Sequence, residues 1–182
     1  MEAATVEPAE LAVLSLVLDL NEFEVVACVQ DRGKRLRTFT IVPKTAVGLC
    51  PHCQSVSDER HVCRDRVIAD LPMGGWRTEL VVRLWQFRCT RCDRFFTPSF
   101  AALAEGAHAT ERLLERLAEL VDHSDVSSSA SFFGLAEKTV EGWYYQYVKA
   151  KQNQPRPQLE PVRSLGIDEL SLKKDTGNSA AC

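Results

Sequence analysis

Four cysteines, arranged as Cys50-x-x-Cys53 and Cys89-x-x-Cys92, carry the most legible chemistry in this 182-residue chain. In each C-x-x-C turn the backbone bends tightly enough for two sulfurs to converge on one ion at about 2.3 Å, and a second turn from a distant strand closes a tetrahedral shell. The set predicts a structural zinc ion held by four thiolates. The 35 residues between Cys53 and Cys89 exceed the short spacing of an ordinary zinc ribbon, so a subdomain with its own strands must separate the turns. His61 and Cys63 lie inside that insert as alternative ligands, with a polar surface role for His61 and a small buried role for Cys63 as the competing readings. For the whole set the competitor is a pair of redox dithiols or disulfides. The absence of a secretory signal, and of a βαβ pattern around either pair, weighs against it.

The elements that must position these cysteines are strands. Residues 23–31 and 35–42 read as a hairpin around Asp31-Arg32-Gly33-Lys34, with Gly33 available for positive φ. Residues 64–71 and 78–88 read as two more strands, the second alternating Val81, Arg83, Trp85 and Phe87 against Leu80, Val82, Leu84 and Gln86. Ahead of them, 11–20 is apolar but contains Asp19 and is too short for a bilayer. It reads as a helix with Pro8 near its first turn and Leu11, Leu14 and Leu18 on one face. Composition agrees: 45% hydrophobic and 26% charged residues are the proportions of a globular intracellular protein, with neither secretion nor membrane insertion indicated. Cys28, in a strand, reads as a small buried hydrophobe.

Charge is unevenly spread. The net charge is -3, yet residues 1–24 hold six acids and no Lys or Arg, while 32–94 hold 13 Lys or Arg against six acids. Arg88, Arg91 and Arg94 surround the second cysteine pair. A patch of that sign suits phosphate, because each neutralised phosphate releases counterions; a solvated basic face is the alternative.

Helical periodicity begins near Thr110, which can cap a helix over 111–123 with Leu113, Leu114, Leu117, Leu120 and Val121 on one side. Asp125 then caps a short helix ending at Gly134, and a third helix over 137–149 buries Val140, Trp143, Tyr144 and Tyr147. This is the outline of a helix-turn-helix, in which the third helix enters the major groove. Lys138 and Lys149 are placed to meet phosphates, and Thr139 or Gln146 to reach base edges. Ala136 where a capping Ser or Thr is usual, and Gly142 at a cost of about 1 kcal/mol relative to Ala, fit a plain three-helix unit equally well.

The run Cys50-Pro51-His52-Cys53, His61, Asp70-Leu71-Pro72 and Phe87-Arg88-Cys89-x-x-Cys92, with Phe95 and Phe96 behind it, resembles the zinc-finger domain of bacterial insertion-sequence transposases of the ISL-three group. The resemblance continues through Gly134-Leu135 and Thr139-Val140 to Gly166-Ile167-Asp168-Glu169, covering about residues 20–174. It implies recognition of the terminal inverted repeats of a mobile element, and DNA cutting and joining by a ribonuclease-H-like domain with three catalytic carboxylates. Asp168 maps onto the first of these. Such carboxylates together hold two metal ions, Mg2+ in a complete domain, and one carboxylate does not suffice. Only Asp175 to Cys182 follow Lys174, and the prolines at 155, 157 and 161 read as a linker.

The expectation is therefore an α+β chain with an N-terminal helix (1–22), a small β-rich zinc-ribbon-like domain (23–103), a three-helix helix-turn-helix domain (109–150), a linker (151–163) and a residual C-terminal strand (164–182). The expected function is that of a truncated transposase binding double-stranded DNA at transposon ends, without strand transfer of its own. It would sit with the nucleoid in a bacterial cytoplasm, with a full-length transposase or a second copy as further partner and no membrane. Two competitors are a zinc-ribbon adaptor that binds protein through exposed aromatics such as Trp76 and Phe100, and a nuclease completed by a partner chain's carboxylates.

Overall fold

The computed structural model describes residues 8–152. The expectations for the linker from 153 onward, the residual strand, Asp168 and Cys182 lie outside the described residues. The elements run α1 (Pro8–Leu18), β1 (Phe23–Asp31), β2 (Leu36–Pro43), β3 (Gly48–Leu49), β4 (Val56–Ser57), β5 (Arg60–Met73), β6 (Trp76–Arg88), β7 (Phe95–Phe96), α2 (Glu111–His123), α3 (Val126–Phe133) and α4 (Glu137–Gln152). The architecture is α+β. One five-stranded sheet has the order β1-β2-β6-β5, with β7 also paired to β6, and a two-stranded ladder joins β3 to β4.

The long β5–β6 hairpin is the spine. Its two-residue turn is Gly74-Gly75, both at positive φ (60° and 74°), the conformation a tight hairpin needs and glycine adopts without steric cost. Leu80, Val82 and Leu84 project to one face, into a core with Phe23, Phe39, Ile41 and Ile68. On the other face Trp85 and Phe87 reach the cysteines. β2 lies parallel to β6, with Leu36 opposite Arg77, because the chain crosses over through the first cysteine pair and β5 before returning. α1 caps the first core with Leu18 buried and Leu11 and Leu14 packed beside it. A register shift between Val25 and Ala27 accompanies its docking, Val25 N donating to Ser15 Oγ at 2.9 Å.

The helices form a second core. Leu113, Leu114 and Leu117 of α2 meet Ala130 and Phe133 of α3 and Val140 of α4, with Trp143, Tyr144 and Tyr147 half-buried against them. Thr110 Oγ1 accepts from Leu113 N (3.3 Å) and Asp125 accepts from Ser128 N (2.8 Å), so both expected N-caps form. Gly134 ends α3 in the left-handed conformation (φ 64°, ψ 36°).

The two cores are joined at Asp70, the one buried charged residue among the described residues. Its carboxylate accepts from Thr110 Oγ1 (2.7 Å) and from two nitrogens of Arg112, whose third donates to Leu18 O (2.7 Å). One side chain thus ties β5, α2 and the end of α1 together. Ala69 adds backbone bonds, donating to His108 O (2.8 Å) and accepting from Thr110 N (3.0 Å).

Several expectations need correction. In the β1–β2 turn positive φ falls on Arg35 (49°) rather than Gly33, because Asp31 Oδ1 accepts from Lys34 N (3.0 Å) and leaves the last turn residue to bend back. β5 starts earlier (Arg60) and ends later (Met73) than its expected 64–71, while β6 starts earlier, at Trp76, and ends at Arg88 as expected; the glycine turn lets pairing continue to Met73 and Trp76. Phe100 is no exposed anchor: it packs on Phe23 (ring centroids 4.8 Å apart) in the first core. Trp76 is half-buried beneath the Arg37 guanidinium, 5.3 Å from its ring.

Candidate functional site

The two cysteine turns are one structure used twice. Each is the tip of a two-pair ladder: Gly48 opposite Ser57 and Leu49 opposite Val56 in the first, Phe87 opposite Phe96 and Arg88 opposite Phe95 in the second. In the first, Cys50 N donates to Ser55 O (2.9 Å) and Gln54 N to Cys50 O (2.9 Å); in the second, Cys89 N donates to Arg94 O (2.8 Å) and Asp93 N to Cys89 O (2.8 Å). The residue after each second cysteine, Gln54 or Asp93, takes φ 57°. These matching bends aim both sulfurs of each turn at a common point.

All four sulfurs lie within 4.8 Å of one another. Cys50 Sγ is 3.7 Å from Cys92 Sγ, and Cys53 Sγ 3.4 Å from Cys89 Sγ. Four sulfurs around zinc at about 2.3 Å stand roughly 3.8 Å apart, so the donor set fits the ion. Cys50 and Cys89 are fully buried against Phe87 and Phe96, while Cys53 and Cys92 are half-exposed. Gly48 permits this packing, because a Cβ there would lie 2.8 Å from the Phe96 ring.

The thiols do not titrate alike. The Ser55 hydroxyl and the Cys92 amide push Cys89 down to about 6, and Ser55 also lowers Cys53. Removal from water pushes Cys92 up to about 12. A cage this tight accepts negative charge at one corner and resists it at another until a cation joins. Ser55 was not singled out by sequence reasoning; its place two residues after Cys53 is the signal the sequence offers.

His61 and Cys63 stay outside the cage. His61 is exposed, its ring tilted against that of Phe95 (centroids 4.5 Å apart); Cys63 is half-buried on β5 opposite Trp85. The surrounding cations are partly engaged. Arg88 pairs with Asp93 (2.6 Å) and Glu59 (3.5 Å), Arg94 Nη1 meets His52 Nδ1 (3.2 Å) across the two turns, and Arg91 is exposed.

On α4, Lys138 and Lys149 are exposed and Thr139 is half-buried. Gln146 is already used: its Nε2 donates to Glu105 O at 2.9 Å, fastening α4 to the loop ahead of α2. The cage and α4 are separate places in the fold, the first at one end of β6 and the second beside the helical core.

A four-thiolate cage closed by two equivalent hairpins defines a structural zinc site of the zinc-finger class. Residues 46–92, which include all four cysteines, match the family described as the zinc-finger of transposase IS204/IS1001/IS1096/IS1165. Over 148 residues the chain is 29% identical to the transposase for insertion sequence element IS1001 of Bordetella parapertussis, an alignment taking in 80% of this chain and 35% of that protein. The zinc-finger match is to ISL3-type insertion-sequence transposases, and the chain spans about a third of the length of the curated relative it matches. No solved structure matches. Among the described residues no helix is long and apolar enough to cross a membrane.

Proposed function

We propose that residues 23–150 are the DNA-binding part of an insertion-sequence transposase, directed to the terminal inverted repeats of its element. The observation that carries this reading is the zinc cage of a transposase family on the same spine as a three-helix unit whose last helix exposes Lys138 and Lys149. α3 and α4, joined through the left-handed Gly134, serve as a helix-turn-helix pair, with α4 as the helix that enters the groove. Lys138 and Lys149 meet phosphates there, and Thr139 reaches a base edge. Gln146 reads a base only by releasing Glu105 O, so it contributes less to recognition than its position suggests. Arg91, with Arg88 and Arg94, adds phosphate contacts at the cage. Zinc holds these arginines in place and takes no part in chemistry. On the same resemblance Asp168 is the first of the carboxylates that would hold two metal ions, a centre that further carboxylates must complete.

The test is binding of a labelled mixed-sequence duplex across a salt series, followed by selection from a random-sequence duplex pool. Affinity should fall steeply as salt rises, and Lys138→Ala with Lys149→Ala should reduce the slope of log K against log salt by about 0.9 per lysine. Selection should enrich a defined sequence. A zinc-loaded, folded chain with no affinity for duplex DNA at low salt would sink the reading.

A further inference from the structure

Five cations gather at the end of the sheet opposite the zinc cage. Because β2 and β6 run parallel with Leu36 opposite Arg77, the β1–β2 turn and the Gly74-Gly75 turn finish side by side, and Arg77 N donates to Arg35 O at 3.0 Å. The glycine turn carries no side chains of its own. A Cβ on Gly74 would sit 3.6 Å from Arg37 Nη1, and one on Gly75 3.7 Å from Arg35 Nη2, so the two guanidinium groups flank a bare backbone. Arg37 is held there by Met73 O (3.3 Å) and by the Trp76 ring. Arg32, Lys34 and Arg35 are exposed around them.

Local acids answer only part of this charge. Asp31 reaches Lys34 at 3.9 Å and Glu79 pairs with Arg77 at 3.0 Å, while Arg32 and Arg35 have no ion-pair partner among the described residues. Like charges collected on two adjacent turns raise the energy of the protein alone and are relieved by a polyanion. Arg77 Nη1 also lies 3.4 Å from Gly134 O, and a Cβ on Gly134 would stand 2.6 Å from Arg77 Cδ, so the cluster abuts the turn between α3 and α4.

We infer that the paired turns, through Arg32 and Arg35 beside Gly74-Gly75, form a second phosphate-gripping surface that holds the backbone of duplex DNA next to α4. This inference rests on the DNA-binding reading above and adds residues to it. The side-chain-free turn admits a sugar-phosphate backbone closely, and an arginine fork matches two phosphate oxygens at once. The surface is distinct from the arginines at the cage: Arg77 and Arg88 are eleven residues apart on β6, about 37 Å at strand spacing. Effects at the two ends should therefore add.

The experiment measures affinity for a labelled mixed-sequence duplex of about three helical turns over a salt series. The zinc-loaded chain is compared with a double variant, Arg32→Gln with Arg35→Gln, and with the charge-keeping pair Arg32→Lys with Arg35→Lys. The glutamine pair should reduce the slope of log K against log salt by about 1.8, and the lysine pair should restore it. Equal thermal melting of all three separates lost contacts from lost fold. If the parent chain binds and the Lys138→Ala, Lys149→Ala variant weakens it, but the glutamine pair keeps the full slope, this inference is overturned and the DNA-binding reading stands. If the parent chain does not bind duplex DNA, both fall together.

Discussion

The two ends of this molecule are stabilised by opposite means. At the cage end, two short hairpins bury Phe87 and Phe96 against Cys50 and Cys89, with little other apolar material. At the helical end, leucines, Phe133 and Val140 form a hydrocarbon core closed by side-chain caps and a left-handed glycine. Hairpins of two residue pairs are not stable alone in water, so the cage end depends on its ion. The helical end depends on burial, and on the Asp70–Arg112 clamp that fastens it to the sheet.

The largest effect is expected from removing zinc. Structural zinc contributes on the order of 10 kcal/mol to small domains, so chelation should unfold both hairpins while much of the helical circular dichroism persists. Elemental analysis should find about one zinc per chain, with four thiols protected until the chelator is added. A Cys89→Ser chain that melts cooperatively at the parent temperature would contradict the division.

The clamp comes next. Asp70→Ala leaves Arg112, whose side chain is 31% exposed, without its carboxylate, and should cost about 3–5 kcal/mol in denaturant unfolding. Replacing both partners with leucine should recover most of that loss, because no charge is then left alone. If the single and double variants unfold alike, the pair is not what joins the two ends.

The smallest effect is expected at the cap of α3. The amide and hydroxyl of Ser128 hold the Asp125 carboxyl below its ordinary 3.8. A depressed carboxylate contributes stability above that ordinary value and loses it as pH falls through the lower, folded one. Asp125→Asn keeps the capping acceptor without the titration. Its melting temperature should therefore decline less steeply than the parent's in acid below about pH 4, while the two stay close at neutral pH.

Legibility differed in the same way along the chain. The cysteine pairs were readable because metal ligation demands particular residue types at a particular spacing, and the structure brings those four together. Helices α2 and α3 were readable to the residue because their start and stop signals are local: Thr110, Asp125 and Gly134 act on backbone within four positions. The alternation of β6 marks it as a strand but does not name its partners. Nothing local tells β6 to lie parallel to β2 and antiparallel to β5. Asp70 stood in a recognisable Asp-Leu-Pro segment, yet its role depends on Arg112, 42 residues away.

The zinc ligands, the helix caps and the uneven charge were legible in the residues alone, since each follows from residue chemistry acting over a few positions. Gln146 is spent on Glu105, Phe100 is core, and Arg32, Arg35, Arg37 and Arg77 share one end of the sheet for reasons no local run of sequence carries. Those outcomes depend on strand pairing and packing between segments far apart in the chain, and such pairings are chosen by the free energy of the whole fold rather than by any local run of residues.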